Sequence, residues 1–554
     1  MQRKTKFSMF YLKITFIVTM FLFIAVCAYA QAPEWQWATK AGGSSADEGH
    51  GITIDAAGNT YVIGYFEETA TFGSFSLTSS GSSDIFVAKM DANGIWQWAT
   101  KAGGSSSDYG SEIITDATGN TFVTGSFNGT ATFGNYSLTS DGGCDVFVAK
   151  IDANGIWQWA TKAGGNDNNA GGGITIDAAG NTFVTGRFIG TATFGNYSLT
   201  SDGGGDVFVA KMDANGNWQW ATKAGGSYYD QGSGITIDAA GNTYVTGYFD
   251  ETATFGSFSL TGYGGFVIFV AKMDANGNWQ WATQAGGCGL DFALQITIDD
   301  YANTYVTGYF DDTATFGSFS LTSSGSWDIF VAKMDANGNW QWATKAGGSN
   351  NDRGYGITID AAGNTYVTGY FEETATFGSF SLTVYGGFDI FVAKMDANGN
   401  WQWAAKAGGS DFDKGYGITI DAASNTYVTG YFGETAYFGS YSLTGYGIYD
   451  IFVAKLTPPV STDPEINPDM FNLTHYPNPI KIHTIISYSL KQNSPVTLEI
   501  YNLKGQLVEA LFEGNNQAGD HTVEWDCPDM PSGVYFMKMT AGNEESIRKM
   551  ILLR

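Results

Sequence analysis

The stretch DIFVAKMDANGIWQWATKAG, residues 84–103, decides the fold. Its first half is apolar and rich in β-branched and aromatic residues, its second half carries Trp96 and Trp98, and Asn93-Gly94 lies between them. Asn-Gly between apolar runs is the strongest short-range hairpin signal, because both residues accept the positive φ of a tight turn. The stretch reads as two antiparallel strands. Its Trp-Gln-Trp-Ala core recurs at Trp35, Trp157, Trp218, Trp279, Trp340 and Trp401, each 61 residues from the last without insertion or deletion. Asp55, Asp116, Asp177, Asp238, Asp299, Asp360 and Asp421 keep the same step. A fixed period of this length marks one supersecondary unit that buries its apolar faces only against its neighbours.

Working outward within one repeat, Gly51 to Asp55 is a short strand, Ala56 to Asn59 a turn, and Thr60 to Phe66 a second strand. Asp84 to Asp91 and Trp96 to Gly103 are the third and fourth. The segment Glu67 to Ser83 between them stays open between a loop and a small hairpin. Four antiparallel strands repeated seven times predict a seven-bladed β-propeller, an all-β fold. The array opens with a lone fourth strand, Trp35 to Gly43, and ends with a third strand, Asp450 to Lys455. The N-terminal strand is therefore expected to complete the last blade and close the ring. An open solenoid is the alternative, but it needs polar capping repeats that the array lacks. No proline lies between Glu34 and Thr457 to interrupt the ladders.

The composition agrees. Of 554 residues, 74 are Gly and 10 are Pro, with aromatic and charged residues at 15% each. A disordered chain would be rich in charge and poor in rings. The net charge is −27, and the first 30 residues carry Arg3, Lys4, Lys6 and Lys13 with no acid, so the remainder is more acidic still. Such a chain repels phosphate backbones, which excludes nucleic acid and anionic membrane surfaces as partners. Residues 1–30 read as a secretory signal peptide: basic to Lys13, apolar from Ile14 to Val26, with small residues at Ala28-Tyr29-Ala30 and cleavage expected after Ala30. An uncleaved anchor would need a longer apolar run, and no transmembrane segment is expected in the mature chain. Cys144, Cys288 and Cys527 form neither a disulfide framework nor a metal-ligand set.

Repeated residues read as structure. Asp84 and Lys101 fall diagonally on one face of the hairpin, and the pairing recurs in other copies. Where Val267 replaces the acid, Gln284 replaces the lysine, and the same rule pairs Asp450 with Lys40 across the ring closure. These are taken as exposed pairs that fix register and add little energy. The Trp-x-Trp pairs fit blade-on-blade packing better than sugar-stacking platforms. Asp55-Ala-Ala-Gly58-Asn59 and Asp91-Ala-Asn93-Gly94 superficially resemble calcium loops, but they are too short for six or seven oxygen ligands, so side-chain-capped turns are expected. No cofactor or metal is called for, calcium being the one that the acids leave open.

Variation concentrates on one face. The first–second and third–fourth turns share a side of the disc and barely change, whereas the second–third loops and inter-blade crossings on the other side differ. The crossings keep an acid or amide, Asp47, Asp108, Asn169, Asp230, Asp291, Asp352 and Asp413, beside Tyr109, Tyr228, Tyr229, Phe292, Tyr355, Phe412 and Tyr416. The second–third loops add Tyr263, Phe266, Trp327, Tyr385, Phe388, Tyr446 and Tyr449. Carboxylates, amides and rings on a rigid scaffold suit a glycan or an extracellular protein. The candidate ligand-binding residues are therefore Asp47, Asp108, Tyr109, Tyr228, Tyr229, Asp230, Asp291, Phe292, Trp327, Asp352, Phe412 and Asp413. No catalytic residue stands out: His50 is the only histidine in the array, and no nucleophile motif is present. A structural surface or matrix scaffold is the alternative function, and a glycoside hydrolase or lyase stays open behind it.

After the array, residues 457–472 form a Pro-rich linker and residues 473–554 read as a small β-sandwich. Tyr476-Pro477-Asn478-Pro479, the run Val496 to Gly505, Pro531-Ser-Gly533-Val-Tyr535, and the terminal Lys549-Met-Ile-Leu-Leu-Arg554 follow in order. This segment resembles the C-terminal sorting domain of the type IX (Por) secretion system. The resemblance implies recognition by that machinery and display at the surface of a Gram-negative cell, or release from it. Residues 31–456 resemble the SBBP-type β-propeller repeat through GITIDAAGNTYVTGYF and DIFVAKMDANGNWQWATKAGG, which implies the fold and no settled activity. Departures from the repeat include Asp300-Tyr301-Ala302, Ser424, and Ser126 and Arg187 in place of tyrosine.

Overall fold

The computed structural model describes residues 33–459, 471, 473–477, 480–502, 506–528, 530–542 and 544–553. The expected leader, most of the linker, Asn478, Pro479 and Gly505 lie outside the described residues, as do the side chains of Tyr263 and Lys549. Contacts divide the chain at Pro459 into two compact units.

The first unit repeats a four-stranded antiparallel blade seven times; the first two blades join into one eight-stranded sheet, and the sixth is extended to six strands by the hairpin Thr435–Phe438 and Tyr441–Thr444 of the seventh. The first blade is Asp47–Ile54, Thr60–Phe72, Phe75–Met90 and Trp96–Gly104 in spatial order. The seventh is Lys414–Ile420, Thr426–Phe432, Asp450–Thr457 and, from the chain's start, Glu34–Ala41. That last pairing runs Lys40 opposite Phe452 and Trp37 opposite Lys455, so the N-terminal strand closes the ring. The inner strands Asp47–Ile54 and Lys414–Ile420 then lie side by side, and no blade is left without two neighbours. Each third strand, such as Asp84 to Met90, is buried at almost every position. A blade is covered on both faces, so its central strands need a continuous apolar run and not alternation.

The open segment Glu67–Ser83 is a hairpin. The second and third strands run on past the blade, with Thr69 opposite Thr78 and Phe72 opposite Phe75. Phe72 packs edge-on to Trp96 at 5.3 Å. Gly73 at the tip has φ +61°, and a Cβ there would lie 3.1 Å from the Trp96 ring, so both space and backbone demand glycine. The end of the outer strand, Gly103 and Gly104, pairs with Thr132 and Ala131 of the next blade's hairpin, which stitches neighbours together. The second tryptophan of each pair packs between blades: Trp98 lies against Tyr61 and donates from Nε1 to the Ala153 carbonyl at 3.1 Å.

The Asn93-Gly94 hairpin is longer than a two-residue turn. Asp91 Oδ1 accepts from the amides of Asn93 and Ile95, both at 3.0 Å, and only Gly94 takes a positive φ, +79°. The side-chain caps stretch the turn, and a bulge at Lys89/Met90 absorbs the extra residue, leaving the register beyond it as read. Asp55 likewise spends both oxygens on its own turn, accepting from Ala57, Asn59 and Tyr61.

The diagonal pairs form, at 2.7 Å for Lys101–Asp84 and Lys345–Asp328, 3.4 and 3.3 Å for Lys162–Asp145 and Lys223–Asp206, and 3.9 Å for Lys406–Asp389. They are not exposed pairs: each of these aspartates is fully buried. In the fourth blade Gln284 substitutes by bonding both the amide and the carbonyl of Thr261. The expected Lys40–Asp450 pair is displaced. Lys40 Nζ donates to the Thr444 carbonyl and sits 3.5 Å over the Tyr446 ring, while Asp450 accepts from the Tyr446 amide.

The second unit is a sandwich. One sheet orders Thr474–Tyr476, His483–Leu490 and Gly519–Asp526; the other orders Leu507–Asn516, Ser494–Asn502, Gly533–Ala541 and Glu544–Leu552. Ile486, Leu498, Ile500, Trp525, Met537 and Met550 fill the space between them. Of the sorting motif, Tyr535 is buried with its hydroxyl donating to the Pro531 carbonyl, and Tyr476 is exposed. Among the described residues no helix is long and apolar enough to cross a membrane.

Candidate functional site

Every inner strand carries a β-bulge at the same point, between Gly49 and Gly51 in the first blade and between Gly415 and Gly417 in the seventh. A bulge re-aims a side chain. Here it turns one residue per blade to the central channel: His50, Ser111, Gly172, Ser233, Leu294, Tyr355 and Tyr416, all of which line a cavity of about 210 Å³. The next residue is glycine in five blades and Glu112 and Gln295 in the other two. Gln295 Nε2 donates to Glu112 Oε2 at 2.7 Å, from the fifth blade to the second. Both also line a second cavity of about 170 Å³, walled by isoleucines such as Ile113 and Ile235 and by threonines such as Thr53 and Thr236. The bond is a bar across the channel, at the level that the two cavities share. Burial pushes the Glu112 carboxyl up to about 7, against the opposing bonds from Ile113 and Gln295.

Two positions before the bulge stands the ring that forms the mouth: Glu48, Tyr109, Ala170, Gln231, Phe292, Arg353 and Lys414. Each is directly opposite a second-strand residue, respectively Tyr65, Ser126, Arg187, Tyr248, Tyr309, Tyr370 and Tyr431. The rings join into a wall. Tyr248 meets Phe292 at 4.7 Å, Phe292 meets Tyr309 at 4.9 Å, and Tyr309 meets Trp327 at 5.6 Å. The Arg353 guanidinium lies 4.1 Å over Trp327 and 4.6 Å over Tyr309. Lys414 Nζ lies 4.9 Å over Tyr370, which touches Phe388 at 4.8 Å, and Phe388 touches Phe412 at 4.9 Å. His50 packs against Tyr65 and Tyr416, with Nε2 3.2 Å from Glu48 Oε2. Burial raises the hydroxyl pKa of Tyr309 to about 12, and Tyr65, Tyr370 and Tyr431 are raised by the same cause, so these hydroxyls stay protonated donors.

The structure brings Tyr109, Tyr229, Phe292, Trp327 and Phe412 into this assembly or its edge. Tyr229 stacks on Tyr248 at 6.1 Å and receives a hydrogen bond from Arg187. Tyr228 is exposed and makes no ring contact among the described residues. Tyr385 and Tyr446 lie apart from the mouth, beneath Lys406 and Lys40.

The acid column is a correction. Asp47, Asp108, Asp230, Asp291, Asp352 and Asp413 are fully buried. Asp108 Oδ2 accepts from the Gly104 amide at 2.7 Å and Oδ1 from Asn128 at 3.0 Å, and Asp47 and Asp413 brace the same two segments in their blades. A carboxylate with both oxygens held by loop amides fixes the crossing and cannot also grip a sugar. Beside each except Asp291, whose neighbour is Val267, lies the Asp84-type residue of the preceding blade: a Cβ on Gly103 would be 2.4 Å from Asp84 Oδ1 and 2.9 Å from Asp108 Oδ2. Burial raises Asp108 to about 6, Asp47, Asp230, Asp291 and Asp352 to about 7, and Asp413 to about 8.

Sequence reasoning missed Glu48, Glu112, Gln295, Arg353, Lys414 and the second-strand tyrosines. Their signal was variability at one fixed position of the inner strand, within the crossings but not in their loops. Arg187 was visible as a departure from the repeat.

Comparison with known proteins supports the architecture. Residues 474–553 match the family described as secretion system C-terminal sorting domain, and residues 36–65, 219–248 and 341–370 match the beta-propeller repeat. An uncharacterized WD repeat-containing protein, L264, of Acanthamoeba polyphaga mimivirus is 24% identical over 500 residues, 72% of this chain and 36% of that one. Regulatory protein FlaEY of Caulobacter vibrioides is 25% identical over 277 residues, 46% of this chain and 29% of that one. The chain thus spans about a third of the length of these curated relatives. PorZ, a surface component of the type-IX secretion system of Porphyromonas gingivalis, overlays with a TM-score of 0.24 at 12% identity, over 91% of this chain and 74% of that one. A family 43 arabinoxylan arabinofuranohydrolase from Bacillus subtilis overlays with a TM-score of 0.23 at 12% identity, over 69% and 96%. The chain thus carries beta-propeller repeats and a secretion system C-terminal sorting domain, and that domain implies export to the cell surface or beyond.

Proposed function

We propose that this protein is a binding module that a Gram-negative cell exports through the type IX machinery, and that it holds a glycan in the mouth of its channel. In this reading a leader is removed after Ala30, the propeller of residues 31–456 does the binding, and residues 473–554 do the sorting. The observation that carries it is the continuous wall from Tyr248 through Phe292 and Tyr309 to Trp327, one ring from each neighbouring element, beside a cavity lined by polar and aromatic groups. Planar rings supply large contact area at low entropy cost, and sugars stack on them while their hydroxyls bond to Tyr, Gln and His. The mouth is also asymmetric, which a purely structural ring of near-identical blades does not require.

The test is a saccharide-binding panel on the purified full chain, followed by product analysis. Saturable binding without new reducing ends fits a binding module. Cleavage products would make it a hydrolase or lyase, and self-assembly with no saccharide bound would make it a scaffold.

A further inference from the structure

Resting on that reading, we infer that the glycan is acidic, a saccharide bearing carboxylate or sulfate whose anion sits between Arg353 and Lys414. The cations of the propeller are unequally placed. Between residues 33 and 456, every lysine except Lys414 falls at one of two repeated positions. The Lys101 type faces a buried Asp84-type residue, and the Lys89 type faces an Asp55-type residue, at 3.9 Å in the first blade. Only Arg187, Arg353 and Lys414 break the repeat, and all three stand in the two rows that form the mouth.

None of the three has an ion-pair partner among the described residues. In a chain of net charge −27, cations without counter-ions at one place are not explained by neutralising the surface. Arg353 and Lys414 hold the same register position on adjacent inner strands, so like charges are set side by side. Glu48, the next residue round the ring, attracts Lys414 from a distance but makes its ion pair with His50. The Arg353 guanidinium lies over Trp327 and Tyr309, and its buried Nε has no acceptor. Arg353 also bonds the Tyr355 hydroxyl; a guanidinium has five N–H donors, and those left over grip an oxyanion, while Lys supplies a second point charge. A neutral sugar would offer these two donors nothing that Gln or Asn could not satisfy without the mutual repulsion.

The test compares oligogalacturonate (carboxylate), a carrageenan oligosaccharide (sulfate) and neutral cello- and laminari-oligosaccharides on the full chain and on Arg353→Gln/Lys414→Gln. Lys414→Gln alone is the second variant, and melting curves confirm folding. The inference expects at least one acidic probe to bind roughly tenfold or more tighter than the neutral ones, to weaken with salt, and to lose roughly tenfold or more in the double variant. Which acidic probe binds tells carboxylate from sulfate. Neutral probes bound as tightly, unaffected by the double variant but lost in Trp327→Ala, would overturn the acidic ligand and leave the glycan-binding reading standing. No saccharide bound, or an acidic peptide captured at the same residues, would overturn both.

Discussion

Glu112 and Gln295, 183 residues apart in the chain, meet across the channel axis at 2.7 Å. No repeat position requires either: five of the seven blades have glycine there. The bar they form crosses the channel where its two cavities meet. It also stores a pH dependence. Burial raises Glu112 from its ordinary 4.5 to about 7, so the folded state holds the proton more tightly than the unfolded chain. Stability from this group is full below about pH 4.5 and is lost as pH rises toward 7.

Glu112→Gln should therefore raise the melting midpoint at pH 8 and make little difference near pH 4.5. Each pKa unit between the two states is worth about 1.4 kcal/mol, so the gain at pH 8 is on the order of 3 kcal/mol. Thermal melts of the two proteins across pH 4.5–8 check it.

The blade junctions push the same way. Six aspartates with carboxyls at about 6 to 8 prefer their protonated forms in the fold. The wild-type midpoint is expected to rise as pH falls from 8 to about 5. At lower pH the turn acids act oppositely. In Asp55 and Asp116 burial raises the pKa, but bonds from Asn59 or Asn120 and their neighbours outweigh it and hold the carboxyl below its ordinary value. Their stabilisation is lost as they protonate, which gives a maximum on the acid side of neutrality. A midpoint that climbs steadily from pH 5 to 8 would refute this.

The third junction already shows how to relieve a pair. Where Asn169 replaces the acid, its Nδ2 donates to Asp145 Oδ1 at 3.4 Å. The matching Oδ1 atoms of Asp84, Asp206, Asp328, Asp389 and Asp450 are buried without a donor. Asp108→Asn gives up the bond from Gly104 but keeps that from Asn128, as Asn169 keeps that from Ile189, so it should fold and its midpoint should fall less than the wild type's between pH 5 and 8. Asp108→Ala strands the amides of Gly104 and Asn128 and should cost about 1–3 kcal/mol for each. Denaturant melts of both variants separate the two effects.

The fourth blade offers a double-mutant cycle. Val267 is fully buried where other blades carry the paired aspartate. Val267→Asp alone places an unpaired carboxyl in the core and should cost about 3–5 kcal/mol at pH 8. Adding Gln284→Lys should recover much of that loss. Additive costs in the double variant would contradict the pairing.

Much of this was legible in the sequence because the repeat is strict. Period, strand order, ring closure by Trp35–Gly43 and hairpin register follow from local patterns that seven copies confirm. What local pattern could not give was direction. Asp108 and Tyr109 are adjacent, and alternation along a strand sends one inward to brace the crossing and the other to the mouth. The bulge at His50 reverses that alternation, so counting along the strand misassigns whatever follows it. Arg353 and Lys414 look like ordinary surface charges until the ring places them side by side over Trp327 and Tyr370.

The central claim is that the asymmetric mouth is where this protein binds. Its most direct test is the affinity of Trp327→Ala, measured on the full chain with the saccharide that binds the wild type most tightly, alongside Tyr228→Ala as an exposed control on the same face. The account predicts a loss of about tenfold or more, on the order of 1–3 kcal/mol, for Trp327→Ala with the fold intact and Tyr228→Ala unchanged. Equal affinity in wild type and Trp327→Ala would contradict it.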